Sequence, residues 1–225
     1  MKIIVISDIH LTEEFDTKKY IFLKKIISSA DQIIINGDFW DGAITTFSRF
    51  INSPWKKLFP LLKRKKTIYL FGNHDKKDQS DNRVSLFSIK QAYRHIIRTK
   101  KNMFIIEHGD KYQPKAFEQL SFLPHNGSVH IFVNILFDKF ERLLFKIFGE
   151  KTIQKKLYGK LNNETKLNIK QLVSRGQMYV CGHTHAQELD FKNRFINTGI
   201  IRHGIGQYLL IEDDVILLKS ERYDK

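Results

Sequence analysis

A chain of 225 residues, 42% hydrophobic and 28% charged, is long enough to bury a core and too balanced to be a disordered or fibrous polypeptide. A lone cysteine, Cys181, excludes an internal disulfide and points to a reducing compartment, and no uncharged apolar run reaches the ~20 residues that span a bilayer. The net charge of +14 points to a polyanionic partner (nucleic acid, an anionic membrane surface or a phosphorylated substrate) or else to lysine used as general surface.

Lys2–Ser7 reads as a buried strand that runs straight into Asp8-Ile9-His10. The start has neither the basic region nor the long apolar stretch of a signal peptide, so a cytoplasmic protein is expected. Asp16 or Thr17 caps an expected helix to about Ser29, with Tyr20, Leu23 and Ile27 on one face. Gln32–Asn36 is a second strand, stopped by Gly37-Asp38-Phe39-Trp40-Asp41. Phe47–Lys63 has a helical pattern interrupted at Pro54, which suits only a first turn. Thr67–Phe71 is a third strand, before Gly72-Asn73-His74-Asp75. His95–Thr99 and Met103–Glu107 pair as a hairpin whose second arm ends at His108-Gly109-Asp110. Gln177–Cys181 ends at Gly182-His183-Thr184-His185, and four short strands follow at Glu188–Phe191, Arg194–Asn197, Gln207–Ile211 and Val215–Lys219.

This succession predicts an α/β (α+β) fold of two packed sheets flanked by helices, as one domain over residues 1–225. Residues from about 111 to 176 form a helical insertion. Within it, Val129–Phe148 carries an i, i+3, i+4, i+7 apolar stripe that includes Phe132, Leu136, Phe140, Leu143 and Ile147. His130, Asn134, Asp138, Glu141 and Arg142 lie on the other side. Three placements are open to such a stripe: against the protein's own core, over an apolar ligand as a lid, or on a membrane surface.

The strand ends deliver Asp8 and His10, then Asp38, then Asn73 and His74, then His108, then His183 and His185. Carboxylate, imidazole and amide oxygen together suit first-row ions such as Mn²⁺, Fe²⁺ or Zn²⁺. The set exceeds what one ion uses, so two divalent ions sharing a carboxylate are expected. Such a pair, ~3.5–4 Å apart, activates a bridging hydroxide and neutralises phosphate oxygens, while a nearby imidazole protonates the leaving alkoxide.

Taken in order, Asp8-x-His10, Gly37-Asp38, Gly72-Asn73-His74-Asp75, His108 and Gly182-His183-x-His185 resemble the calcineurin-like metallophosphoesterases. The resemblance implies a two-sheet β-sandwich flanked by helices and a dimetal phosphoester hydrolase. It implies one ion on Asp8, His10, Asp38 and His185, and another on Asp38, Asn73, His108 and His183, with Asp38 as bridge. It also implies His74 at the scissile phosphate as general acid or transition-state stabiliser, oriented by Asp75. Mn²⁺ is the expected metal, with Fe, Zn²⁺ or Ni²⁺ as alternatives.

Gly37-Asp38-Phe39-Trp40-Asp41, His108-Gly109-Asp110 and the insertion are similar to the UDP-2,3-diacylglucosamine hydrolases, in which an insertion covers acyl chains. The best-known of these carry Arg where this chain has His74. On that resemblance the bond cleaved is a pyrophosphate or phosphodiester such as that of UDP-2,3-diacylglucosamine. Segment 129–148 then touches lipid, and the protein works at the inner membrane surface. The charge of +14 supports a different reading, a phosphodiesterase or nuclease acting on nucleic acid or nucleotides. A non-catalytic metal-binding scaffold is a third reading. Arg202 and His203, just past Asn197-Thr198-Gly199, are expected on a substrate phosphate, and no obligate protein partner is evident.

Overall fold

The computed structural model describes residues 1–112 and 128–225; residues 113–127, within the expected insertion, and the side chains of residues 128–130 and 157 lie outside what is described. Strands β1 (Lys2–Ile6), β2 (Gln32–Asn36), β3 (Ile68–Leu70) and β4 (Lys90–Ala92) run parallel in the first sheet. The second sheet has the order β5 (Arg94–Arg98), β6 (Met103–Glu107), β7 (Gln177–Cys181), β9 (Phe195–Asn197) and β8 (Glu188–Asp190). Back in the first sheet, β11 (Ile205–Glu212) lies antiparallel to β1, and β10 (Ile201–Arg202) and β12 (Val215–Arg222) both pair with β11.

The apolar runs of the sequence are continuous because both faces of the first sheet are covered. Successive residues of a strand point to opposite faces. Ile3 and Val5 therefore join Phe104, Ile106, Val180 and Ile196 between the sheets. Ile4 and Ile6 join Phe22, Ile26 and Trp55 on the helical side, under α1 (Thr17–Ser29). Asp16 caps α1 by accepting from Lys19 N at 3.0 Å. The stretch expected to be helical over Phe47–Lys63 divides into α2 (Phe47–Asn52), a 3₁₀ turn at Pro54–Leu58 and α3 (Phe59–Arg64). Pro54 offers no N–H, and Ser53 ends one helix by donating to Phe50 O and starts the next turn by accepting from Trp55 N.

Two strands have no signature in the sequence. β4 reads Lys-Gln-Ala, which has neither alternation nor β-branched residues, and β10 is two residues long. Each exists because a neighbouring backbone offers a ladder, β3 to β4 and β11 to β10.

The insertion contains α4 (Ser128–Phe148), α5 (Glu150–Ile153), a π-helical turn at Gln154–Tyr158 and α6 (Gly159–Ile169). α6 covers the outer face of the second sheet, where Ile169 packs with Tyr179, Cys181 and Phe195. α4 is anchored through Phe145, which packs with Ile153, Ile200 and Ile205. Leu144 packs beside it, but most of the apolar stripe does not enter a core among the described residues: Phe132, Leu136, Phe140, Leu143 and Ile147 are each at least 49% exposed. The opposite face turns inward because Asp138 and Glu141 find cationic and imidazole partners there.

In-register pairing sets the site. Ile6 lies beside Ile35 and Asn36 beside Leu70, so β1, β2 and β3 release their loops at one edge. Ile106 lies beside Val180, and Val180 beside Ile196, so β6 and β7 do the same in the second sheet.

Candidate metal centre

At that edge, Asp8, His10, Asp38, His183 and His185 all have left-handed backbone, with φ of 52°, 48°, 52°, 64° and 60°. Such a conformation costs about 1–3 kcal/mol in a non-glycine residue and survives only where its surroundings enforce it. Here Ile9 N and His10 N both donate to Asp38 O at 2.9 Å, and His183 N donates to both Asp8 oxygens at 3.0 Å. Ser7 Oγ also bonds the Asp8 carboxylate, and Thr198 Oγ1 lies 2.6 Å from Ser7 Oγ. Gly72 and Gly182 provide space: an added Cβ would stand 2.3 Å from Asp38 Oδ1 in one case and 2.3 Å from Asp8 Oδ2 in the other.

The donor atoms form two groups that meet at Asp38. In the first, His10 Nε2 lies 3.6 Å from Asp38 Oδ2, and His185 Nε2 lies 3.5 Å from Asp8 Oδ1. In the second, His108 Nε2 lies 3.2 Å from Asp38 Oδ2 and 3.0 Å from Asn73 Oδ1, which is 2.9 Å from His183 Nδ1. Donors about 2.0–2.2 Å from one ion stand about 3.0–3.5 Å from each other, so both groups have coordination spacing. The hydrogen bonding also calls for cations. His108 Nδ1 faces the Asn36 carbonyl oxygen at 2.9 Å and donates to it, which in the neutral ring leaves Nε2 as a lone pair aimed at two acceptor oxygens. His10 Nδ1 is 3.0 Å from Asp41 Oδ2, and its buried Nε2 has no hydrogen-bond partner. These residues therefore fit two divalent ions.

Electrostatics agree with that chemistry. Burial pushes His10 down to about 4, helped by the Arg202 charge, and His183 down to about 3, helped by His108. Both are neutral near pH 7, the form that ligates. Burial alone would raise the Asp38 carboxyl, but the charges of His108 and His74 outweigh it and hold that carboxyl well below its usual range. Burial likewise opposes protonation of His108, and the Asp38 carboxylate outweighs it and holds that imidazole well above its usual value, so this pocket favours positive charge.

His74 is brought to the same edge, and its orienting group is not the expected one. Its Nδ1 lies 2.9 Å from Asp41 Oδ1, so Asp41 supports His10 with one oxygen and His74 with the other. Asp75, expected to orient His74, instead accepts from Asp38 N, Phe39 N and Gly72 N at 3.0, 2.7 and 2.6 Å. It braces the turns beneath Asp38 because its carboxylate is buried behind the loop, away from the imidazole. Burial disfavours charge on His74, but the Asp41 and Asp38 carboxylates raise it to about 9.

Arg202 and His203, expected on a substrate phosphate, face the insertion. Arg202 pairs with Asp138 and, at 3.4 Å, with Glu141, and His203 Nε2 is 2.9 Å from Glu141 Oε2. Neither side chain is open to a phosphate in this arrangement. Asp41 and Glu141 each put a carboxylate on the far nitrogen of a site imidazole, and the sequence alone assigns neither that role. Asp41 follows Asp38 by three positions at a strand end, which is its only local signal; Glu141 has none beyond its place on the polar side of α4.

The profile of the family described as calcineurin-like phosphoesterase matches residues 1–187, and the chain belongs to that family. It is a hydrolase acting on phosphoester bonds, in a dimetal-dependent family, and a phosphorylated substrate follows. No curated protein matches the chain. Among solved structures, a predicted phosphoesterase from Streptococcus pneumoniae is 15% identical over 99% of this chain and 90% of that one, with a TM-score of 0.43. Yfce, a phosphoesterase from E. coli, is 16% identical over 96% of this chain and 91% of that one, with a TM-score of 0.47. Vps29 from Entamoeba histolytica, complexed with zinc, is 12% identical over 99% of both chains, with a TM-score of 0.45. Likeness at this level leaves substrate and metal to the chain's own residues. Among the described residues no helix is long and apolar enough to cross a membrane.

Proposed function

We propose that the protein hydrolyses a phosphodiester or pyrophosphate bond at a centre of two divalent ions bridged by Asp38. The observation that supports this is the position of Asp38 Oδ2, 3.6 Å from His10 Nε2 and 3.2 Å from His108 Nε2, between two groups of donors. Asp8, His10, Asp38 and His185 hold one ion; Asp38, Asn73, His108 and His183 hold the other. When bound, the ions supply Lewis acidity to the phosphate oxygens and an activated water. Mn²⁺ is the proposed metal, with Fe, Zn²⁺ and Ni²⁺ as alternatives, since a mixed set of three oxygen donors and four imidazoles accepts any of these ions. Asp41 holds the His74 ring through Nδ1 and favours its protonated form, leaving the Nε2 proton for the leaving oxygen.

The substrate we propose is a lipid-linked nucleotide of the UDP-2,3-diacylglucosamine kind, and the protein is a cytoplasmic one that works at the inner membrane surface. The exposed stripe of α4 supports this: it is apolar along its length and flanked by the exposed Lys139, Arg142 and Lys146. Residues 1–225 act as one domain, with the insertion at about 111–176 as the lipid-facing part. Turnover by the Mn²⁺-loaded protein of bis-p-nitrophenyl phosphate, UDP-2,3-diacylglucosamine, its deacylated form and single-stranded DNA tests the reading. The diacyl compound should give the highest kcat/KM, and a Phe140→Asp, Leu143→Asp double variant should lose that preference. Preference for DNA would replace the lipid reading with a nuclease, and a folded, metal-loaded protein inert on all four would be a scaffold.

A further inference from the structure

The imidazoles of the centre are steadied from different places. His10 leans on Asp41 and His108 on the Asn36 carbonyl, both in loops and strands of the sandwich. His185 leans on Glu141, which comes from the insertion. Glu141 Oε1 lies 3.1 Å from His185 Nδ1 and accepts from Tyr158 OH at 2.6 Å. Oε2 lies 2.9 Å from His203 Nε2 and 3.4 Å from Arg202 Nη1. Both oxygens are thus engaged, and the carboxylate is held from three sides against one nitrogen of His185. A carboxylate on the far nitrogen of a ligating imidazole sets its tautomer and its angle, and its loss commonly costs 10–100-fold in metal affinity.

We propose that Glu141 is a positioning residue that holds the His185 ring through Nδ1 with Nε2 aimed at Asp8, so that one ion of the pair depends on the docked insertion and the other does not. The proposal rests on the two-ion reading given above. It gives α4 a second task besides presenting its apolar stripe: the face that docks on Arg202 and His203 also completes the centre. Asp138 lies one turn earlier on the same helical face and pairs with Arg202 and His203 rather than with His185, which makes it a control for helix docking.

Two measurements on the full chain test this. The first is titration with Mn²⁺ alone. Wild type should bind two ions, and Glu141→Gln should weaken one of them by roughly 10–100-fold while leaving the other unchanged. Asp138→Asn should weaken neither. The second is rescue by the conservative variant: Glu141→Asp, which keeps a carboxylate on the helix, should weaken that ion less than Glu141→Gln does, and equal loss in the two would overturn the role of the carboxylate. Unaltered binding of both ions in Glu141→Gln overturns the proposal, and so does Asp138→Asn weakening the same ion as strongly. If wild type binds one ion, the two-ion reading fails, and Glu141 then stands or falls on whether Glu141→Gln weakens that ion. Should Glu141→Ala not fold, the isosteric Glu141→Gln still carries the test.

Discussion

The half of the centre around Asn73, His108 and His183 and the half around Asp8, His10 and His185 present similar donor atoms but are held differently. The first is made by the sandwich: Asn36 O and the loops after β3, β6 and β7 suffice to place it. The second needs those loops plus two carboxylates, Asp41 from the turn after β2 and Glu141 from α4. Hydrogen-bonded sheet edges place side chains with little freedom left to lose, whereas a helix joined by an insertion must dock before its carboxylate counts. A two-ion site can therefore contain one half the fold makes and another that an added segment completes.

Asp38 belongs to both halves, and its loss should have the largest effect. Asp38→Ala should release both ions, read as metal content after dialysis, and should lower turnover by more than the roughly 10²–10⁴-fold typical of one lost acid–base group. Retention of two ions would remove the bridge and with it the comparison of halves. His74 belongs to neither half. His74→Ala should keep both ions and slow turnover by roughly 10²–10⁴-fold, and full activity would exclude it from proton transfer. Asp41→Asn should combine a slower rate with weaker binding in the Asp8 half only.

The smallest effect expected concerns stability under that same half. Lys19 Nζ donates to Ile9 O, between Asp8 and His10, in a buried position. Burial, helped by the Arg202 charge, pushes Lys19 from 10.5 down to about 7. Between those values the unfolded chain holds a proton that the folded chain has shed, so stability rises with pH across this window, by about 1.4 kcal/mol per pH unit at most. Lys19→Met should flatten that rise when unfolding by denaturant is compared at pH 7 and pH 9. A wild type equally stable at both values would contradict the buried neutral amine.

The proposed metal ligands were legible because each is local: an apolar run ends and an Asp, Asn or His follows, with a glycine turning the chain before Asp38, Asn73 and His183. The Gly72 and Gly182 contacts give the reason, since only glycine lets a neighbouring carboxylate pass so close. Support was less legible. Asp75 sits next to His74 in sequence yet braces Asp38, while Asp41 reaches His74 across 33 positions. Arg202 and His203 read as phosphate contacts until α4 brought Asp138 and Glu141 onto them. The stripe of α4 was plain in the sequence, and its outward direction was not, because an amphipathic pattern says which residues share a face and not what that face meets.

By itself, the sequence determined the chemistry available at the centre and the fold class that displays it. Hydrophobic period and turn residues set most of the strands, and strand ends carry the candidate ligands. Only the tertiary structure decided which oxygen supports which nitrogen. Those pairings join Asp8 to His185, Asp41 to His74 and Glu141 to His185, and their distances depend on how two sheets and an inserted helix pack, which no local pattern encodes.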